Sequence, residues 1–338
     1  MILNLFKEKR GLAYHGMALA YSLTGYVVGI AGLFSQHLFI NIAAMLVLAH
    51  AMIIGGYLLH ECAHNTVFKK NEDNARLGRV FTWITGSCYG TYEDIRFKHF
   101  RHHVDNGDVV WFEYEQWFER HPVALKVVQW LEWFYIPAHD LIMHVIMIFS
   151  SFIIPQRRTQ RVRNVAYIVI RATLYGALLW FSPFAALLYA IAYLIMMTVL
   201  RFMDALQHDY GGTPTLFDKT PAPHRGDREF EQAHTFSNPL SLKYPWVNLL
   251  VLNFGYHNAH HAKPTTPWYQ LPALHHELFG DDRSVVVPFS AQLKSFHRFR
   301  VSRVMSAEAT MADGEDFLKA LQAGNTSGGN AASFLTSF

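Results

Sequence analysis

Charge is scarce in this chain, and so is cysteine. Acidic and basic side chains make up 16% of the 338 residues, against about one quarter in ordinary soluble domains. Two cysteines, Cys62 and Cys88, exclude a disulfide framework and an in-built four-cysteine iron–sulfur cluster. Neither has a sequence neighbour suited to thiol chemistry. A net charge of +3 without a long basic stripe gives no case for nucleic acid as a partner. No haem-binding HPGG-type segment and no flavin fingerprint occurs, so redox chemistry here would draw on a separate electron donor.

The chain is instead apolar, 51% hydrophobic and 15% aromatic. Residues 14–34 and 38–59 carry no Lys, Arg, Asp or Glu and are each long enough to cross a bilayer. They read as a hairpin turned at Ser35, Gln36 and His37. A second hairpin is expected from 164–181 and 184–203, turned at Ser182 and Pro183, where proline can begin a new helix. Arg171 interrupts it, and its long side chain can snorkel. Lys7, Lys9, Arg10 and the stretch QRRTQRVR flank the hairpin bases, and the tips carry no basic residue. The termini and large loops are therefore expected in the cytoplasm. The first apolar segment is long and lacks a small-residue cleavage site, so it reads as a retained span. The segment 141–154 is too short to cross and suits an interfacial or re-entrant helix. Trp130, Trp133 and Tyr135 before it form an interfacial belt. The fold expected is an all-α integral membrane protein: four transmembrane helices in two hairpins, interfacial helices, and a cytosolic cap. Residues 1–300 form the membrane domain and 301–338 a flexible cytosolic tail, with a short amphipathic helix around Glu315 to Gln322.

Against this background one pattern is written twice, HFRHH at 99–103 and HNAHH at 257–261. On a helix, positions i, i+3 and i+4 share a face, so each copy can present His99, His102 and His103, or His257, His260 and His261, to a metal. The stretch LLHECAHN sets His60 and His64 four apart where an apolar segment ends. RFMDALQHDY sets Asp204 and His208 four apart after the last one. Nine histidines exceed any mononuclear site and match two metals with room for an exogenous ligand. Imidazole alone does not choose among iron, zinc, copper and nickel. Glu61, Asp204 and Asp105, with Asp108 and Glu113, are candidates to hold imidazole tautomers by hydrogen bonds.

In this order and spacing HECAH, HFRHH and HNAHH resemble the HxxxH, HxxHH and HxxHH boxes of the integral-membrane fatty acid desaturase and hydroxylase superfamily, over roughly residues 14–280. The resemblance implies a centre of two non-haem iron ions held by the nine histidines, with His208 matching the family's histidine after the fourth span. Asp204 stands where relatives place a water-holding Asn. TYEDIRFKHFRHH resembles the family's lead into its second box, with Ile95 in place of Trp; Arg96 reads either as bracing the loop or meeting an acyl headgroup, or as a plain surface arginine. Oxygen-dependent desaturation of a fatty acid or acyl lipid is the implied activity. A separate ferredoxin- or rubredoxin-type donor and its reductase are the implied partners. Hydroxylation, or decarboxylation of a free fatty acid to a terminal alkene, are alternatives on the same scaffold. NLLVLNFGYHNAHHAKPTTPWYQLP is similar to the bacterial branch in which these activities mix, which implies a bacterial inner membrane; the Lys and Arg distribution puts the expected site on its cytoplasmic side.

Other classes compete for the same residues. HECAH also fits HExxH, the motif of zinc peptidases, with Glu61 activating water; that reading leaves two ordered histidine triads unused. Glu61 to His64 and Glu231 to His234 both satisfy the ExxH of ferritin-like carboxylate sites, although Glu231 lies in the polar, proline-rich TPAPHRGDREFEQAHTFSNP. His234 reads either as an extra functional histidine or as a solvated loop residue. A metal transporter or sensor would place ionisable groups within the spans, whereas these clusters fall at span ends and in loops. The remaining ten histidines lack the box spacing and read as non-ligands.

Overall fold

A computed structural model describes residues 5–211, 213–218, 220–305 and 314–327, which fold into helices and turns with isolated β-bridges and no strand. In chain order the helices are α1 (Gly11–Gly32), α2 (Leu38–Ala63), α3 (Asn71–Ile84), α4 (Tyr92–Asp105), α5 (Tyr114–Arg120), α6 (Pro122–Trp133) and α7 (Ala138–Ile153). They continue as α8 (Arg161–Phe181), α9 (Pro183–Asp204), α10 (Arg228–Ala233), α11 (His257–Ala262), α12 (Leu271–Phe279), α13 (Phe289–Arg298) and α14 (Gly314–Ala323). The chain divides into two compact units, one of residues 1–95 and 142–199, the other of 96–141 and 200–337.

In the first unit α1 and α2 pack as the expected hairpin, and small residues make the close approach possible. A Cβ on Gly29 would lie 2.8 Å from that of Leu48, and one on Gly32 2.5 Å from that of Ala44. Asn41 closes the turn. Its Nδ2 reaches the carbonyls of Gly32, Leu33 and Ser35 at 3.0–3.1 Å, the groups a helix C-terminus leaves unsatisfied. Among the described residues three helices are long and apolar enough to cross a membrane: Leu38–Ala63, Pro155–Phe181 and Pro183–Asp204. α1 has the length, at 22 residues, but more glycine and hydroxyl side chains than these. Phe39, Trp180 and Phe181 are 87%, 86% and 79% exposed, a surface suited to lipid. Arg171 does not snorkel as expected. It is buried and donates to the Trp83 carbonyl at 2.7 Å, against the rings of Trp83 and Tyr175; an unsatisfied carbonyl next to aromatic faces offers a cation more than the span end does.

The second unit is tied together by polar contacts. Arg201, buried near the end of α9, donates to both carboxylate oxygens of Glu132 at 2.8 Å, with Asp140 at 3.3 Å. The approach to α11 is a strained turn: Leu252 and Asn253 have φ of +44° and +56°, where bulky residues rarely sit. It ends at Gly255, whose Cβ position would fall 2.7 Å from the Asn238 carbonyl. Within the segment expected to be a flexible tail, α14 is packed. Phe317, Leu318 and Leu321 are buried with Leu206, Phe236 and Val287, and the Phe317 ring stacks on Phe236 at 4.7 Å. Residues 306–313 and 328–338 of that segment lie outside the described residues.

Candidate metal centre

In the first unit His60 and His64 stand at the end of α2, both buried, with ring centroids 4.7 Å apart, as i,i+4 spacing requires. Glu61 Oε2 accepts the Thr66 hydroxyl at 2.6 Å.

In the second unit the two HxxHH copies occupy α4 and α11, and the remaining seven histidines of the sequence reading are all buried there. His102, His208, His257 and His261 each bring one ring nitrogen within 4.8 Å of the others. His257 Nε2 lies 2.8 Å from His208 Nε2, which lies 3.1 Å from His261 Nε2. A second knot is formed by His99, His103 and His260: His103 Nε2 is 3.2 Å from His99 Nε2 and 3.2 Å from His260 Nε2. Each box therefore keeps its i,i+4 pair together and sends its i+3 member across to the other box. His102 joins the pair His257 and His261; His260 joins the pair His99 and His103. The sequence pattern implied one stripe per box; the close approach of α4 and α11 interleaves the two.

His208 does not follow Asp204 on a helix. α9 ends at Asp204, and His208 sits in an antiparallel bridge with Thr235, held by Asp209 N–H to the His234 carbonyl (2.9 Å) and Phe236 N–H to the Gln207 carbonyl (2.8 Å). The carboxylate facing His208 Nδ1 is Asp108, at 3.6 Å, which also lies 3.5 Å from His102 Nδ1. Asp204 is buried nearby, and Asp105 pairs with Arg101 at 2.6 Å and Arg225 at 3.7 Å.

Tautomers test whether this nest suits a cation. His102 Nδ1 faces the carbonyl of Gly107 at 3.0 Å; a carbonyl only accepts, so Nδ1 carries the proton and Nε2 keeps its lone pair. That Nε2 is buried without a hydrogen-bond partner. Asn106, at φ +51°, makes the turn that brings the carbonyl back. His261 Nδ1 lies 2.9 Å from Glu231 Oε1, which likewise leaves its Nε2 as an acceptor. Lone pairs converging at such distances repel one another unless a positive ion lies among them, so the donor set fits a metal. Burial, and then the neighbouring His103, push His102 down to about 3. Burial holds His208 and His261 well below the ordinary histidine range. These rings are neutral, the form that ligates. Burial and the nearby Asp204 charge push Asp108 up to about 7.

Glu231 is the residue that sequence reasoning set aside. Its carboxylate is 1% exposed, touches His261, lies 3.9 Å from His103 Nδ1 and is held by Arg228 at 2.5 Å. The signal for it was present in ExxH, but the histidine it serves is His261, not His234. The proline-rich stretch conceals a helix of six residues, α10, capped by Asp227, whose Oδ1 accepts from Phe230 N–H at 3.0 Å. His234 is half-buried, with Nδ1 to the Phe230 carbonyl at 2.9 Å. Cys62 and Cys88 are free and buried.

Residues 12–292 match a family model described as fatty acid desaturase. A search among curated proteins finds no match.

Proposed function

The chain belongs to the fatty acid desaturase family, and from that premise we propose that it desaturates a fatty acyl chain with molecular oxygen at a centre of two iron ions. The observation that carries this reading is the nest of buried, neutral imidazoles with Nδ1 protons held outward at His102 and His261 and Nε2 lone pairs turned inward. His102, His208, His257 and His261 would hold one ion. His99, His103 and His260 would hold the other, and His60 and His64 of the first box are assigned to the same centre by the family resemblance. When bound, such a pair of ions supplies the activation of oxygen needed to attack an unactivated C–H bond.

The protein's own share is positional. Gly107 and Glu231 fix which ring nitrogen carries a proton, burial keeps water from the ligands, and the strained turn before α11 sets the third box against α4. With α1 as a fourth span, the three boxes would lie on the cytoplasmic side of a bacterial inner membrane, within reach of an acyl chain in the bilayer. Residues 1–300 are the catalytic membrane domain, residues 301–338 a cytosolic tail. Electrons come from a ferredoxin- or rubredoxin-type protein and its reductase.

The test uses purified protein in detergent micelles. It is expected to hold about two irons per chain and, given reductant and air, to convert a fatty acid or acyl lipid to a product two hydrogens lighter, with no product under argon. A hydroxylated product or an alkene one carbon shorter would move the reading to the related reactions. A single zinc with hydrolysis that needs Glu61 would overturn it.

A further inference from the structure

On the second unit a cavity of about 860 Å³ lies against the outside of the histidine nest, bounded by Tyr210, His224, Phe230 and His234. Its wall is a stack of rings. His224 lies flat on Phe230, with centroids 3.6 Å apart and planes 3° from parallel. His234 covers the other face of Phe230 at 4.0 Å and 20°. Tyr210 lies beside Phe230, with centroids 6.2 Å apart and planes 28° from parallel, and Tyr210 in turn stacks on His208 at 4.7 Å and 25°. Exposure falls along this series, from exposed His224 through half-buried Phe230 to buried Tyr210 and His208.

We infer that the row His224, Phe230, Tyr210, His208 is the route by which electrons from a one-electron carrier protein reach the metal centre, and that the carrier docks over His224. The inference rests on the two-metal reading above. Electron tunnelling falls off steeply with the gap between groups, and here every gap from surface to ligand is a ring-to-ring contact. The scaffold holds the row rigid: Asn106 Nδ2 donates to the carbonyls of His224 (2.7 Å) and Asp227 (2.8 Å), and the Tyr210 hydroxyl is 2.7 Å from Thr235 Oγ1. Arg225 and Arg228, paired with Asp105 and Glu231 but with side chains 56% and 58% exposed, flank the outer end and leave guanidinium surface for the carboxylates of a carrier to meet. Each transfer oxidises the carrier by one electron and reduces the centre by one; two transfers serve one turnover, and no bond forms or breaks in the row.

Because both native cysteines are buried, a photoreductant can be attached at a single introduced thiol, Arg225→Cys, on the iron-loaded full chain. Flash reduction of the centre is followed by absorbance under argon, with no substrate and no turnover. Tyr210→Phe, which keeps the ring, is expected to stay within threefold of the parent rate. Tyr210→Leu and Phe230→Leu are expected to slow it at least tenfold with iron content unchanged. Equal rates in Phe230→Leu and parent would overturn the route and leave the metal reading standing. So would slowing by Tyr210→Phe as large as by Tyr210→Leu, since it would assign the effect to the hydroxyl. If iron binds yet no labelled variant shows reduction, both the route and the redox reading fall.

Discussion

Glu231→Gln is the sharpest probe of the metal nest because its effect runs through one proton. The Glu231 carboxylate meets Arg228 on one oxygen at 2.5 Å and His261 Nδ1 on the other at 2.9 Å. Arginine can only donate, so a glutamine here turns its oxygen to Arg228 and its NH2 to His261. The imidazole must then accept at Nδ1, its proton moves to Nε2, and the lone pair aimed into the nest is lost. Removing such an orienting partner lowers metal affinity about 10–100-fold, or about 1.4–2.8 kcal/mol. The Glu231 carboxylate is buried but the Arg228 side chain is 58% exposed, so solvent screens the pair from the guanidinium end and its loss stays near the exposed-pair limit of about 1 kcal/mol. Arg228→Ala alone is thus expected to change retention by about fivefold at most. Added to Glu231→Gln it frees the amide to rotate and restores part of the loss. The assay is iron retained per chain against a chelator series. Retention within twofold of the parent in Glu231→Gln, or a double variant no better than the single, would refute the tautomer argument.

Two further outcomes follow from the structure and a third from the proposed topology. Burial pushes His102 down to about 3 and holds His208 and His261 well below the ordinary histidine range, so these rings hold no proton to displace above pH 6, while Asp108, pushed up to about 7, has one to lose; calorimetry of metal binding at pH 6.5 in buffers of different ionisation enthalpy should show no more than about one proton released per ion, and two or more would contradict it. Gly29→Ala should cost about 1–3 kcal/mol by overpacking the α1–α2 seam, whereas Gly16→Ala, with open space around it, should be neutral or slightly stabilising; equal thermal stabilities in detergent would argue against the packing. Thiols introduced by Gln36→Cys and Ser182→Cys should react with impermeant reagents added outside intact spheroplasts, while Arg225→Cys should react only after lysis. Outside labelling of Arg225→Cys would overturn the proposed cytoplasmic orientation.

The parts of this molecule written in one stretch were legible in the sequence. Uncharged runs foretold α2 and the α1–α2 hairpin, and i,i+4 spacing foretold the pairs His60 with His64, His99 with His103, and His257 with His261. What spacing does not encode is the partner across a gap. The exchange of His102 and His260 between boxes depends on how α4 and α11 approach each other. The service of Glu231 to His261 depends on α10, a helix too short to leave a periodic trace. Arg171 was placed by a general rule for long cations, and a free carbonyl at Trp83 overrode it.

The nest draws on residue 102 near the start of the second unit, on 208 after the last apolar helix, and on 257 and 261 beyond the strained turn. A nascent chain cannot hold the ion in this nest until the ribosome has passed residue 261, by which time α1, α2, α8 and α9 have already been translated. Metallation of this nest would therefore come late in biogenesis, after all the apolar helices have been made, and chains stopped short of α11 are left with imidazoles that have nothing to share.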